Sequence, residues 1–247
     1  MNIKKYLDST YLKTAKQAGL DDENNIKVVK GFIQEAINER FKLIMIRPAM
    51  VSLAKQIIAD AGSDLQIGTV IDFPKGKSTI DFKLVEAVKA IEDGVNDLDF
   101  VCNYEAFKNG NFDLLKEEVL KGTQLGIDNN KVVKWIIEVA ALNDKEIVQL
   151  TKLIKNVVTA NFKEDDFPAV FVKSSTGFYK TENNLPNGAT RSTIILMLEN
   201  AAPLSVKAAG GVRTYEEAIE MIKLGVRRIG TSGAKAIVRG EDTTIEY

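Results

Sequence analysis

Two lysines stand where a lysine is costly. Pro168-Ala-Val-Phe-Val-Lys173-Ser-Ser-Thr-Gly177 reads as a short apolar strand that ends on Lys173 and enters a small polar turn. Leu204-Ser-Val-Lys207-Ala-Ala-Gly-Gly211 repeats the pattern, with a terminal lysine, small residues and a glycine pair. Apolar runs of this length, bounded by turn formers, suit strands buried on both faces. Lysine is seldom fully buried. One such lysine is an ordinary strand end whose ammonium reaches water. Two, at the same end of consecutive core strands, point to a site. An amine attacks a carbonyl to form a Schiff base only when it is unprotonated. Its pKa must then fall from about 10.4 towards 7, at a cost of about 5 kcal/mol. A second ammonium about 4 Å away, at an effective dielectric of about 20, supplies on the order of 4 kcal/mol of that. Partial burial adds to the shift.

Composition narrows the alternatives. The chain has 247 residues and no histidine. Serine–histidine and cysteine–histidine nucleophiles are therefore excluded, and nearly all zinc sites with them. A carboxylate magnesium site stays open. Acid–base work falls to Asp, Glu, Lys, Tyr or water. The 33 basic and 34 acidic residues give a net charge of −1, which offers no footprint for nucleic acid or an anionic membrane. No apolar run reaches the length of a membrane span, and the first eight residues carry no signal-peptide core. The single cysteine, Cys102, has no partner for an internal disulfide. The expected location is the cytoplasm. Cys102, Trp135, Phe100 and Met45 read as core packing.

The elements that must position the lysines alternate strictly. Strands are expected at 6–8, 41–46, 65–71, 97–101 and 132–138, then at Lys173, at Lys207 and at 226–229. Helices are expected at 22–40, 50–61, 78–93, 104–125 around an Asn109-Gly110 turn, 144–158, 190–200 and 214–224, with a last short one after 230–233. On the helix at 78–93, Ile80, Leu84, Val85, Val88 and Ile91 share a face expected to be buried. Eight β/α units in a chain of this length suit a closed parallel (β/α)8 TIM barrel of the α/β class better than an open sheet. No Gly-x-Gly-x-x-Gly follows the first strand. One domain over 1–247 is expected, with a polar, mobile tail from about 239.

Side chains alternate along a strand. The purely apolar sets, such as Leu98/Phe100 and Val170/Val172, should face the helices, and the charged sets should face the barrel axis. Asp99, Lys134, Lys173 and Lys207 then meet inside the barrel, at the strand ends where barrel enzymes keep their sites. Asp99 would relay protons and hold the second ammonium, or would form an interior ion pair without chemistry. Thr176-Gly177, Gly210-Gly211 and Gly230-Thr-Ser232-Gly233 close the same end. Glycine turns after strands seven and eight of a barrel suit a phosphate.

The motifs Asp97-Leu-Asp99-Phe-Val, Val172-Lys173-Ser-Ser-Thr-Gly-Phe178, Gly188-Ala-Thr190 and Val206-Lys207-Ala-Ala-Gly-Gly-Val-Arg-Thr214 resemble the signatures of deoxyribose-phosphate aldolase. The resemblance runs from Tyr6-Leu-Asp8-Ser-Thr10 to Ser232. It implies a cofactor-free and metal-free class I aldolase on a TIM barrel, which cleaves 2-deoxy-D-ribose 5-phosphate reversibly to acetaldehyde and D-glyceraldehyde 3-phosphate. By position, Lys173 would form the Schiff base, Lys207 would lower its pKa and Asp99 would relay protons with a water. Lys134 would belong to the same network. Asp8, Thr10 and Thr176 would lie near the sugar. Gly177, Gly210, Gly211, Ser232 and Gly233 would hold the phosphate. Family members often form dimers, so a homodimer is open, although no interface stripe stands out.

The chain departs from the family pattern in places. Ser9 replaces a usual histidine, Val139 replaces a threonine after Glu138, and Phe178 stands where some members carry a lysine. Arg213 or Lys180 would then supply a cation to the phosphate. Some members end in tyrosine, and Tyr247 on a mobile tail would transfer protons over the barrel mouth, or would be a frayed end without a role. The alternative readings are another Schiff-base aldolase for a different phosphorylated sugar, a sugar-phosphate isomerase, and a non-catalytic binding protein.

Overall fold

In chain order the elements are β1 (Leu7–Tyr11), α1 (Ala15–Ala18), α2 (Asp22–Glu39), β2 (Leu43–Ile46), α3 (Val51–Asp60), β3 (Gln66–Ile71), α4 (Ile80–Asp93), β4 (Asp97–Val101), α5 (Tyr104–Lys108), α6 (Phe112–Asp128), β5 (Val132–Ile136), α7 (Asp144–Asn161), β6 (Val170–Lys173), α8 (Arg191–Ala201), β7 (Ser205–Ala209), α9 (Tyr215–Leu224), β8 (Arg228–Thr231) and α10 (Ala234–Arg239). The structure, a computed structural model, describes residues 2–182 and 185–241. The eight strands form a closed barrel in sequence order, and β8 returns to β1 through Leu7↔Ile229 and Asp8↔Gly230. This is the (β/α)8 TIM barrel expected from the alternation of elements.

Local chemistry sets the element ends. Asp21 caps α2 by accepting a hydrogen bond from the Asn24 amide, which satisfies a donor that a helix start leaves open. Gly94 closes α4 in left-handed backbone at φ 104°. The α4 helix begins at Ile80, later than expected, because Ser78 is held by Asp72 at 2.7 Å from its amide. The β8 strand also starts later than expected, because the Val226 amide still donates to the Met221 carbonyl of α9, at 3.1 Å. The short α1 is an addition to the expected elements; Thr14 and Gln17 build its capping box. The α10 helix continues through Arg239 to Gly240. Positions 242–247 of the expected tail, including Tyr247, lie outside the described residues.

Two layers of side chains result. Leu98 and Phe100, Val133, Trp135 and Ile137, Val170 and Val172, and Val206 and Ala208 all join the core between barrel and helices. Trp135 stacks on Phe100 with ring centroids 4.9 Å apart and donates its indole N–H to Thr123 at 3.0 Å. The face expected for α4 is only partly the buried one: Ile91 packs against the core, but the centre of the buried face lies elsewhere. Lys83, Ala87 and Ala90 are buried, while Val85 and Val88 are 71% and 41% exposed. The two alanines let the helix approach the sheet closely. Lys83 is tolerated because its ammonium donates to the carbonyls of Gly76 and Val101 and to Glu118, at 2.9, 2.8 and 2.7 Å.

Candidate active site

Alternation carries the charged residues into the barrel. Its apolar half holds Leu43, Met45 and Val70, with Leu12, Phe73 and Phe178 packed at the mouth. The other half is ionic. Asp99 is fully buried and spends both oxygens on lysines. Its Oδ1 accepts from Lys134 at 2.8 Å, and its Oδ2 accepts from both Lys173 and Lys207 at 2.9 Å. Lys207 also pairs with Asp8 at 2.7 Å, and Lys134 with Asp97 at 2.7 Å. Arg228 closes the circuit to Asp8 at 2.6 Å and Asp97 at 3.3 Å. Gly230 makes room for the Lys207 side chain, since a Cβ there would lie 3.2 Å from Lys207 Cε.

The residues Lys134, Lys173, Lys207 and Arg228 therefore face Asp8, Asp97 and Asp99, four cations against three anions. One surplus positive charge in a buried cluster favours loss of one proton. Burial works against the Lys173 ammonium most strongly; Asp99 opposes that, Lys207 adds repulsion, and the pKa falls to about 8. The expected repulsion is thus present, but burial outranks it. Burial also works against the Lys207 ammonium, yet Asp8 and Asp99 more than offset it and hold its pKa above the ordinary value. Burial would raise the Asp99 carboxyl, but the three surrounding lysines drive it well below the usual range. Lys173 keeps 3% of its surface exposed while Lys134 and Lys207 keep none. The lysine with the lowered pKa is thus also the one open to the barrel mouth.

The mouth is built from loops. Glu138, just past β5, has left-handed backbone at φ 57° and is buried. Burial pushes its carboxyl up in pKa, against the bonds from Ser175 and Thr176. The Thr176 hydroxyl and, at 3.3 Å, the Thr176 amide donate to its Oε2. Gly177, Gly210 and Gly211 all have positive φ, at 80°, 76° and 91°, a conformation in which side chains other than glycine are strained. A cleft of about 790 Å³ opens beside Gly177, Gly211 and Arg213 and runs outward past Arg191. Gly233 precedes α10, and its amide donates to the Thr231 hydroxyl at 3.1 Å. Ser232 sits beside it, half-buried.

The structure brings Asp8, Asp99, Lys134, Lys173 and Lys207 into one network. Thr10 lies on the same face of β1 as Asp8, and its hydroxyl donates to the Asp8 carbonyl at 2.9 Å. Phe178 meets Phe73 edge-on at 5.0 Å and so belongs to the apolar wall. Asp97 and Arg228 join this network, and Glu138 the adjoining turn, although none of the three is among the expected site residues. Asp97 is visible in the sequence as the alternate neighbour of Asp99. Arg228 is obscured because two arginines adjoin and the pattern starts β8 too early. Glu138 shows only as a polar residue at a strand end.

No family model matches this chain. A deoxyribose-phosphate aldolase from Thermococcus gammatolerans is 36% identical over 241 residues, covering 97% of this chain and 96% of its own length. One from Streptococcus gordonii is 35% identical over 248 residues and spans both chains fully. Among solved structures, the tetrameric deoxyribose phosphate aldolase from Aeropyrum pernix superposes with a TM-score of 0.75 at 25% identity, covering 96% of this chain and 89% of that one. Likeness at that level over the whole barrel, around an interior holding Lys173, Lys207 and Asp99, leaves one assignment: the chain belongs to the deoxyribose-phosphate aldolase family.

Proposed function

We propose that this chain catalyses the reversible cleavage of 2-deoxy-D-ribose 5-phosphate to D-glyceraldehyde 3-phosphate and acetaldehyde through a Schiff base on Lys173. The observation that carries the reading is the lysine pair itself: a nucleophile with its pKa lowered to about 8 and a second lysine held as an ammonium, joined through Asp99.

The unprotonated Nζ of Lys173 attacks the C1 aldehyde of the open-chain sugar. Loss of water from the carbinolamine gives a protonated imine. The C3 hydroxyl then gives up its proton, the C2–C3 bond breaks, and its electron pair moves towards C1 to form an enamine. D-glyceraldehyde 3-phosphate leaves. Protonation of the enamine at C2 and attack by water at C1 release acetaldehyde and restore the amine. Asp99 Oδ2 touches Lys173 and Lys207 at 2.9 Å each, which supports a relay through Asp99, the Lys207 ammonium and a water. Lys134 holds the other oxygen of Asp99. Asp8, Thr10 and Thr176 line the sugar side. Gly177, Gly210, Gly211, Ser232 and Gly233 receive the phosphate through backbone and hydroxyl donors, with Arg213 beside the same cleft. These steps use side chains and water alone.

Among the described residues no helix is long and apolar enough to cross a membrane, and a cytoplasmic location is part of the proposal. A homodimer is the assembly proposed; the relative from Aeropyrum pernix is tetrameric, and light scattering distinguishes the two.

The decisive experiment is borohydride reduction in the presence of 2-deoxy-D-ribose 5-phosphate, with mass spectrometry of the Lys173 peptide. A stable adduct on Lys173, lost in Lys173→Leu, is expected. Binding of the sugar phosphate without an adduct on any lysine would reject the covalent mechanism. A screen of other phosphorylated sugars tests the choice of substrate.

A further inference from the structure

Ser175 presents a hydrogen-bonding problem that only one proton solves. Its Oγ lies 2.6 Å from Glu138 Oε1 and 2.6 Å from the Asn187 carbonyl oxygen, and it accepts from the Gly177 amide at 3.0 Å. A hydroxyl carries one hydrogen and two lone pairs. If Glu138 were a carboxylate, Ser175 would face two acceptors with one hydrogen. One of the two close oxygen contacts would then hold no proton and would be repulsive. A hydrogen on Glu138 Oε1 resolves this. Glu138 then donates to Ser175, Ser175 donates to Asn187, and both lone pairs of Ser175 Oγ are used, one by Glu138 and one by Gly177. The other oxygen of Glu138 still accepts from the Thr176 amide and hydroxyl, and Thr176 Oγ1 accepts from the Phe178 amide at 3.0 Å. Each of these side-chain oxygens is then satisfied.

We propose that Glu138 is held as a neutral carboxylic acid whose proton fixes the Ser175–Gly177 turn, which makes it a positioning residue for the substrate phosphate. The phosphate half of the proposal rests on the reading that this turn receives the phosphate. Burial, which raises the pKa of Glu138, acts in the same direction. Lys173 on β6 and Tyr104 on α5 are the titratable groups that face it. The left-handed backbone of Glu138, φ 57° and ψ 67°, is strained for a non-glycine residue and places the carboxyl against the β6 turn instead of along β5.

The neutral form also serves the nucleophile. A Glu138 carboxylate would be one more anion beside Lys173 and would hold it protonated. As an acid, Glu138 supports the turn and leaves Asp99 as the carboxylate paired with Lys173.

Glu138→Gln mimics the neutral acid, with an amide NH₂ to donate to Ser175 and a carbonyl to accept from Thr176. The first measurement is the infrared difference spectrum of the wild-type protein against Glu138→Gln at neutral pH. A protonated-carboxyl band that disappears in the variant is expected; a carboxylate band in its place overturns the proposal. The second is the pH midpoint for trapping of acetaldehyde on Lys173 with cyanoborohydride, which needs no phosphate. Removing a neutral acid leaves that midpoint in place, whereas removing a carboxylate moves it to lower pH and overturns the proposal. The third compares substrates. Glu138→Gln should keep the KM for 2-deoxy-D-ribose 5-phosphate within about threefold. Glu138→Ala should raise it by at least about tenfold and raise the KM for unphosphorylated 2-deoxyribose by less, since Thr176, which Glu138 also holds, borders the sugar. Equal rises for both sugars overturn the phosphate-positioning half. If Glu138→Ala does not fold, the first two measurements on Glu138→Gln decide. A wild-type protein that forms no adduct at all would instead reject the aldolase reading, a separate outcome.

Discussion

At the scale of single residues, two lysines of the same intrinsic chemistry are driven apart by their neighbours. Lys173 and Lys207 stand opposite each other in register on β6 and β7 and share Asp99 Oδ2. Lys207 has a second anion, Asp8, at 2.7 Å, and Lys173 has none at that range among the described ion pairs. That difference holds Lys207 as an ammonium and lets Lys173 give up its proton from about pH 8 upward. Pairs of titratable groups pushed apart in pKa are the usual sign of divided catalytic roles. It follows that Lys207→Met should act in two ways at once. The repulsion that helps deprotonate Lys173 is removed, so the pH midpoint for trapping on Lys173 should rise above about 8. The relay loses its ammonium, so kcat should fall by about 10²–10³-fold. A variant whose trapping midpoint is unchanged would show that burial alone sets the nucleophile.

At the scale of elements, alternation along strands is legible in the sequence and the rotation of helices is less so. The assignment of Asp99, Lys134, Lys173 and Lys207 to one interior needs only the period of two, and a barrel has just two sides for each strand. An apolar count misplaces the buried face of α4 because Val85 and Val88 outweigh Ala87 and Ala90, while close packing on the sheet favours the small residues. Lys83 does not read as buried, since its partner Glu118 is 35 residues away and appears only once α4 and α6 are side by side. Arg228 is hidden by a register that depends on where α9 releases the chain at Val226. Long-range pairing and exact register belong to the folded chain as a whole, and a local pattern does not encode them. The Lys83–Glu118 pair has a consequence at this scale. Lys83 ties the β3–α4 loop, through the Gly76 carbonyl, to the end of β4 at Val101. Glu118→Gln removes the nearer of the two carboxylates facing Lys83, leaving Asp72 at 3.7 Å, and should cost about 3 kcal/mol. The double change Lys83→Met with Glu118→Leu, which makes the pair apolar, should recover most of that loss. Urea unfolding measures both, and a single variant as stable as the wild type would show that the pair is not needed to hold the loop.

At the scale of the whole molecule, the interior network makes stability depend on pH at both ends of the range, with opposite causes. Asp8 and Asp99 titrate below their ordinary value in the folded barrel. Below about pH 4 the unfolded chain binds more protons than the folded one. Their contribution is therefore complete above that pH and is lost as the pH falls further. Lys173 has the same slope but is a cost rather than a gain. Its pKa is lowered from 10.5 to about 8 on folding, so between these values the unfolded chain again binds the extra proton, and stability rises with pH. Below about 8 the folded protein carries the whole cost of a buried ammonium, about 3 kcal/mol from the size of the shift. Packing alone gives no reason to bury a charge at that cost, which accords with the role proposed for Lys173. Lys173→Met should consequently be inactive yet more stable than the wild type at pH 7, by about 1–3 kcal/mol, the shift to about 8 being already net of the attraction of Asp99. The gain should shrink as pH is raised from about 8 towards 10.5. Urea midpoints of the two proteins at pH 7 and pH 10 test this directly. A variant less stable than the wild type at pH 7 would mean that the ion pair with Asp99 outweighs the burial of the charge, and that the Lys173 ammonium is part of what holds the barrel together.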